Sequence, residues 1–208
     1  MQFKDKYKFT VDENTRFARS QITRLVYNGS HIAGINATYP QTQTIVDGIS
    51  VSGITITDLL TVFHLKMAYF HMFYHVHDSI ITTATAVNKI ADITVRLIEN
   101  KPLFIHEMEQ KYLDSVLNDK NNSTTDKALT LLYHMVSKPL FQTNNISTAF
   151  ISANQIMIQG GAGLISIPVN KTDEWHNLLS NAISTNNMDT IKMWTYQNAI
   201  FGIDIREK

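Results

Sequence analysis

The chain contains no cysteine. That excludes disulfides, thiolate zinc sites and a cysteine nucleophile, and it fits a reducing compartment. Charge is also scarce. Only 17% of the 208 residues are charged, and 18 basic side chains cancel 18 acidic ones. No basic field exists to draw in nucleic acid or an anionic membrane. Long apolar runs are missing as well. The longest, Leu59 to Val76, is interrupted by Lys66 and by histidines, too polar for a membrane span. Met1 to Phe9 alternates lysines with aromatics around no apolar core, so it does not read as a secretory signal. Six N-x-S/T sequons, at Asn28, Asn36, Asn121, Asn122, Asn145 and Asn170, then read as chance in an Asn/Thr-rich chain that is not exported.

What is present is a chain of one-domain length with an ordinary apolar fraction of 44%, enough to bury a core without staples. The apolar spacing predicts helices almost throughout. The first runs from about Asp12 to Tyr27 and is stopped by Asn28-Gly29. Thr38 caps a short second helix, with Pro40 in its first turn and Gln41 as capping-box partner, ending near Gly48. Ile49 to Ile56 alternates weakly and reads as a small hairpin or an extended loop. Thr57 or Asp58 caps a long helix to about His75. Further helices are expected over Ile80 to Glu99, from Pro102 to about Leu117, and at 126–137, 145–158, 172–183 and 188–201. Between them lie a polar loop at Asn118 to Asp126, a glycine turn at Gly160, Gly161 and Gly163, and a short extended piece at Ile165 to Val169. The fold class is all-α, a single helical bundle over 1–208, with room for one small β-hairpin.

Few groups carry chemistry. His71, His75, His77 and Asp78 form a metal-like cluster, and His64 lies two turns earlier on nearly the same side. No carboxylate third ligand or separate metalloprotease motif accompanies it, so the reading taken is a histidine-rich packing helix without metal. His106-Glu107 near Glu109 reads as a solvated helix face. The glycine turn follows a helix and lacks the Lys-Ser/Thr of a phosphate loop, so it reads as a C-cap. The Met-, Phe- and Tyr-rich stripe from Phe63 to Tyr74 reads as core, with an oligomer interface as the alternative. Asn144 or Asn145 sits where it can cap the 145–158 helix, and a helix start of that kind suits an anion.

Two blocks resemble the Fic (fido) family of protein-modifying transferases. The first is S-H-I-A-G-I-N-A-T-Y-P-Q-T-Q-T-I-V-D-G, Ser30 to Gly48. The second is K-P-L-F-Q-T-N-N-I-S-T-A-F-I-S-A-N-Q-I-M-I-Q-G-G-A-G-L-I-S-I-P, Lys138 to Pro168. The resemblance implies a Fic-like helical bundle, with a degenerate inhibitory-helix-like segment at 28–48 and a degenerate active-site loop and helix at 138–158. Set against the family signature H-P-F-x-D/E-G-N-G/K-R-x-x-R, Phe141 and Asn145 match, and Thr148-Ala149 matches a common T-A. The general-base histidine falls on Pro139, the metal-binding acid on Thr143, the first glycine on Asn144 and the two arginines on Ser147 and Phe150. Where relatives carry an inhibitory glutamate, this chain has Ala33, followed by Gly34. His134 lies five residues before the aligned histidine position.

In the family, the histidine takes a proton from a target hydroxyl, the acid holds Mg²⁺ and the arginines stabilise the transferring group. Loss of a general base alone costs about 10²–10⁴ in rate. Loss of metal and cations costs further orders of magnitude. The resemblance therefore implies a catalytically degenerate protein with no catalytic residue and no cofactor. Such a protein acts by binding a protein partner, or a nucleotide weakly through Asn144, Asn145, Ser147 and Thr148. The alternative is a transferase moving AMP from ATP, with Mg²⁺, to a hydroxyl of a target protein. The family also implies a cytoplasmic, bacterial or phage setting and a possible homodimer.

Overall fold

A computed structural model of the chain describes residues 2–77, 90, 93, 107–138, 140–141 and 143–203. The N-terminal strap, residues 2–10, leads into α1 (Val11–Ser20). Thr10 and Glu13 form a capping box there, each accepting the other's backbone N–H. Gln21 separates α1 from α2 (Ile22–Ile32). The expected stop at Asn28-Gly29 does not occur. Asn28, Ser30 and Ile32 are buried, so the helix continues, and the Asn28 amide turns sideways to donate to Ser166 Oγ at 2.9 Å. The true stop is Gly34, in the left-handed region at φ 83°.

α3 (Tyr39–Val46) carries the expected capping box of Thr38 and Gln41. Residues 49–55 form bends rather than a hairpin. Thr55, not Thr57 or Asp58, caps α4 (Ile56–Tyr74), accepting the Asp58 N–H at 3.1 Å. Of the helix expected over Ile80 to Glu99 only Ile90 and Ile93 are described, both helical, and the start at Pro102 lies outside the described residues. α5 (Glu107–Asn118), α6 (Thr124–Ser137) and α7 (Asn145–Gln159) follow. β1 (Leu164–Ile165), a 3-10 turn at Val169–Lys171, α8 (Thr172–Thr185), α9 (Asp189–Asn198) and β2 (Ile200–Phe201) complete the described order. The last helix ends earlier than its apolar spacing suggested, because Ile200 and Phe201 pair antiparallel with Ile165 and Leu164. The small sheet is thus a long-range pairing of the two segments.

α7 is the axis of the molecule. Every residue from Thr148 to Ile158 is buried, and no residue of the helix is charged. A helix buried all round has to be apolar or internally satisfied on every side. One face joins the cluster that contains Tyr133, Phe141, Phe150 and Trp175. The other joins the cluster of Leu25, Val62, Tyr69 and Phe73 from α2 and α4. The strap closes the assembly. Its Phe3 is buried, Thr125 N–H donates to Asp5 Oδ1 at 2.7 Å, and Phe9 N–H donates to Gly161 O at 2.8 Å. A side chain on Gly161 would place its Cβ 1.9 Å from Phe9 O, at φ 67°, so only glycine fits under the strap. Among the described residues, no helix is long and apolar enough to cross a membrane.

Candidate functional site

The site to test is the loop from Lys138 to Asn144 and the start of α7. α6 ends in Lys138, which has extended backbone and bonds back to His134 O. Pro139 lies outside the described residues. Asn144 adopts the left-handed conformation at φ 56°, which asparagine tolerates better than most residues. It occupies the N-cap position, but its side chain does not cap the helix. Asn145 is committed to the loop. Its Oδ1 accepts the Phe141 N–H at 2.9 Å, and its Nδ2 donates to the Phe141 carbonyl at 2.6 Å. Both ends of its carboxamide are therefore spent on one residue.

The remaining aligned positions are apolar or neutral. Phe150 is buried against Trp175, ring centroids 5.6 Å apart, in the cluster that also holds Phe141. Beneath it Trp175 Nε1 donates to Tyr133 Oη at 2.9 Å, which lies 2.5 Å from Thr195 Oγ1. Burial pushes the Tyr133 hydroxyl well above the usual phenol range, so it stays protonated. Thr148 is buried, Ser147 is half-buried, and the buried Thr143 Oγ1 finds no partner among the described residues. Ala33 is the C-cap of α2, and its neighbour Ile32 belongs to the same buried cluster as Phe141 and Phe150. α2, which carries the start of the 28–48 segment, packs against α7. Between Lys138 and Lys171 the sequence holds no Asp, Glu, Lys, Arg or His. What this stretch offers an anion is backbone N–H dipole without a counter-charge of its own.

A charged cluster does form beside the loop, one step earlier in the chain. His134 Nε2 lies 2.6 Å from Glu109 Oε2, and Lys138 Nζ lies 3.2 Å from Glu109 Oε1. Tyr112 covers the imidazole at 4.1 Å between ring centroids. The hydrogen bond from His134, helped by Lys138, holds the Glu109 carboxyl below the usual carboxylate range. Glu109 therefore does not lie on a simple solvated face, while His106 and the Glu107 side chain lie outside the described residues. A sequence signal for this cluster exists. Glu109 and Tyr112 are three apart on α5, and His134 and Lys138 are four apart at the end of α6, so each pair shares a face.

The histidines of α4 disperse. The His71 and His75 rings lie with centroids 4.4 Å apart, tilted by 51° to each other. His77 Nε2 reaches Asp12 Oδ1 at 3.1 Å. His64 is buried, which lowers its pKa. Asp78 lies outside the described residues. Among the described residues, no three His, Cys, Asp or Glu groups converge as metal ligands would.

Against this geometry, comparison with solved structures is decisive for architecture. The chain superposes on Fic-1 from C. elegans with a TM-score of 0.72, at 18% identity over 89% of its own length. It has the Fic fold. A Fic family protein from Desulfovibrio desulfuricans matches at TM-score 0.68 and 12% identity over 88% of the chain. A Fic-domain-containing signaling protein from Bacteroides thetaiotaomicron matches at TM-score 0.69 and 14% identity over 89% of the chain. The chain spans 62%, 63% and 83% of those three structures, so with the first two it shares under two thirds of their length. No protein-family model matches the sequence, and no curated protein matches it. The Fic fold is therefore carried by the helix arrangement at an identity too low to carry its chemistry across.

Proposed function

We propose that the chain is a Fic-fold protein without transferase chemistry that acts by binding another protein. The observation that carries this reading is the uncharged stretch from 139 to 170, in which Asn145 is closed on Phe141 and Phe150 is packed on Trp175. A phosphoryl transition state needs a proton acceptor, a metal or a cation at the transferring group. None of the aligned positions described supplies one. Residual nucleotide binding at Asn144, Asn145, Ser147 and Thr148 would rest on neutral hydrogen bonds and the helix dipole. Each charge-assisted bond replaced by a neutral one forfeits roughly 1 kcal/mol. On this reading the protein needs no cofactor.

AMP transfer from ATP to a protein hydroxyl is the second reading, and the His134–Glu109 pair favours it. A carboxylate can orient and charge-stabilise a histidine acting as a base. The cover of Tyr112 over the imidazole stands against that role. One experiment separates the two. The protein is incubated with labelled ATP, Mg²⁺ and a cell lysate, and calorimetry with ATP and Mg²⁺ is run beside it. The binding reading expects no labelled protein and no heat at millimolar nucleotide. Labelling of any protein that disappears in His134→Gln would establish the second reading and overturn the first.

A further inference from the structure

The strap of residues 2–10 has two faces. Its odd positions turn in. Phe3 is buried with its ring 5.1 Å from that of Tyr196, the Asp5 carboxylate accepts from Thr125, and the Tyr7 and Phe9 rings stack 6.0 Å apart. Its even positions, Gln2, Lys4, Lys6, Lys8 and Thr10, are exposed and include no acid. That is the period of an extended chain. The backbone is held at the odd positions too. Phe3 spends both of its groups on the start of α6, its N–H on Asp126 Oδ1 at 3.4 Å and its C=O on Ser123 Oγ, while Phe9 N–H goes to Gly161 O. Among the described residues, no hydrogen bond reaches the backbone N–H and C=O groups of residues 4–8. An extended edge with unpaired groups is a template for another strand.

We propose that this edge takes up an extended, acidic segment of another protein as an added strand along residues 4–8. The strand addition gives the protein-binding reading a surface and a partner chemistry, and rests on that reading. The lysines select the occupant. A second copy of the strap would set lysine against lysine, and like charges directly opposed across two strands repel. A phosphate surface answers the lysines but offers no row of N–H and C=O groups to the backbone. An acidic strand answers both. Lys4 and Lys8 carry the selection, since both are exposed and enter no ion pair among the described residues. Lys6 is already spent, its ammonium donating to Tyr196 O at 2.5 Å and lying 4.6 Å from the Tyr196 ring centroid. Along an extended chain Lys4 and Lys8 stand at most about 14 Å apart, which places the matching acids about four residues apart on the partner. The backbone bends at Lys6, so the added strand is short and binding is weak. Salt screens exposed charge pairs, so binding weakens further as ionic strength rises.

The test uses the full chain and a short fluorescent peptide that alternates glutamate with threonine, at low salt. Anisotropy is expected to show saturable binding. The double variant Lys4→Gln, Lys8→Gln is expected to bind about fivefold more weakly, with circular dichroism unchanged. A fully N-methylated peptide of the same charge, which has no N–H to donate, is expected not to bind. Amide hydrogen exchange at residues 4–8 is expected to slow when the unmodified peptide is added. No saturable binding up to millimolar peptide overturns the strand addition and leaves the lysines as guards of an exposed edge. Equal binding of the N-methylated peptide overturns it, and so does binding indifferent to the two lysines. Tighter binding of duplex DNA or of phosphatidylserine vesicles through the same lysines overturns it as well, and makes the row a phosphate contact. The labelled-ATP assay decides the protein-binding reading by itself, so a peptide that fails to bind sinks the strand addition alone.

Discussion

Asn154 and Ile165 are joined in both directions, Ile165 N–H to Asn154 Oδ1 at 2.8 Å and Asn154 Nδ2 to Ile165 O at 2.8 Å. A side chain of the central helix thus stands in for a strand partner of β1. The same amide also reaches Phe150 O at 3.0 Å, and all of these groups are buried. Asn14 serves the glycine turn similarly, donating to Met157 O at 3.0 Å and Gly163 O at 3.1 Å.

Replacing Asn154 by Leu keeps the volume and strands two backbone groups of Ile165. A buried unsatisfied group costs about 1–3 kcal/mol. The variant is expected to lose about 2–5 kcal/mol in urea unfolding. A loss below 1 kcal/mol would show that water or a local shift replaces the amide.

Gly161→Ala sets a methyl group against Phe9 O, in a left-handed conformation that alanine adopts at a cost of about 1 kcal/mol. The strap must lift or the turn must open. We expect a melting point several degrees lower and faster proteolysis within residues 2–10, the second effect absent if the turn rather than the strap gives way.

His64 is buried and its pKa is lowered, so the folded state disfavours the charged ring. The unfolded chain takes up this proton near pH 6.5. The stability tied to the neutral ring is fully present above that pH and is lost as pH falls towards the lower folded value. Unfolding free energy should therefore slope downward below about pH 6.5, and His64→Leu should flatten that slope. An unchanged slope in the variant would assign it to another group.

Glu109 works at lower pH. Its folded pKa lies below the unfolded value of about 4.3, chiefly through the His134 hydrogen bond. Its stabilisation is present above that pH and lost as pH falls through the folded value. Glu109→Gln should cost about 1 kcal/mol at pH 7 and progressively less below pH 4. A cost that stays constant down to pH 3 would mean that packing beside Tyr112, not the ion pair, is what the substitution removes.

The helices were legible where the chain punctuates them locally. The Thr38–Gln41 capping box, the Gly48 stop and the start at Asn145 need only neighbouring residues. Legibility failed where a distant contact outbid a local signal. Asn28-Gly29 looks like a helix stop, but Asn28 has a partner at Ser166 and its helix has a face to bury. Ile200-Phe201 continues a helical pattern, but β1 claims it. The Glu109–His134–Lys138 cluster joins two helices across a gap in sequence that no periodicity bridges. Phe63 to Tyr74 read as core is half right, since Tyr69, Met72 and Phe73 are buried while Phe63, Met67, Phe70 and Tyr74 are exposed.

The sequence by itself determined the helical class, the Thr38–Gln41 cap and the absence of charge around the start of α7. Each of these depends on residue type at short spacing, and sequence is the complete record of that. The tertiary structure alone decided which face of each helix is inside and which polar groups meet. That Asn145 closes on Phe141, that Asn154 substitutes for a strand and that one aromatic side of α4 is left in water all follow from where the other helices lie. Burial is a property of the whole packing, and a single side chain pattern apolar on both sides cannot specify which side it will bury.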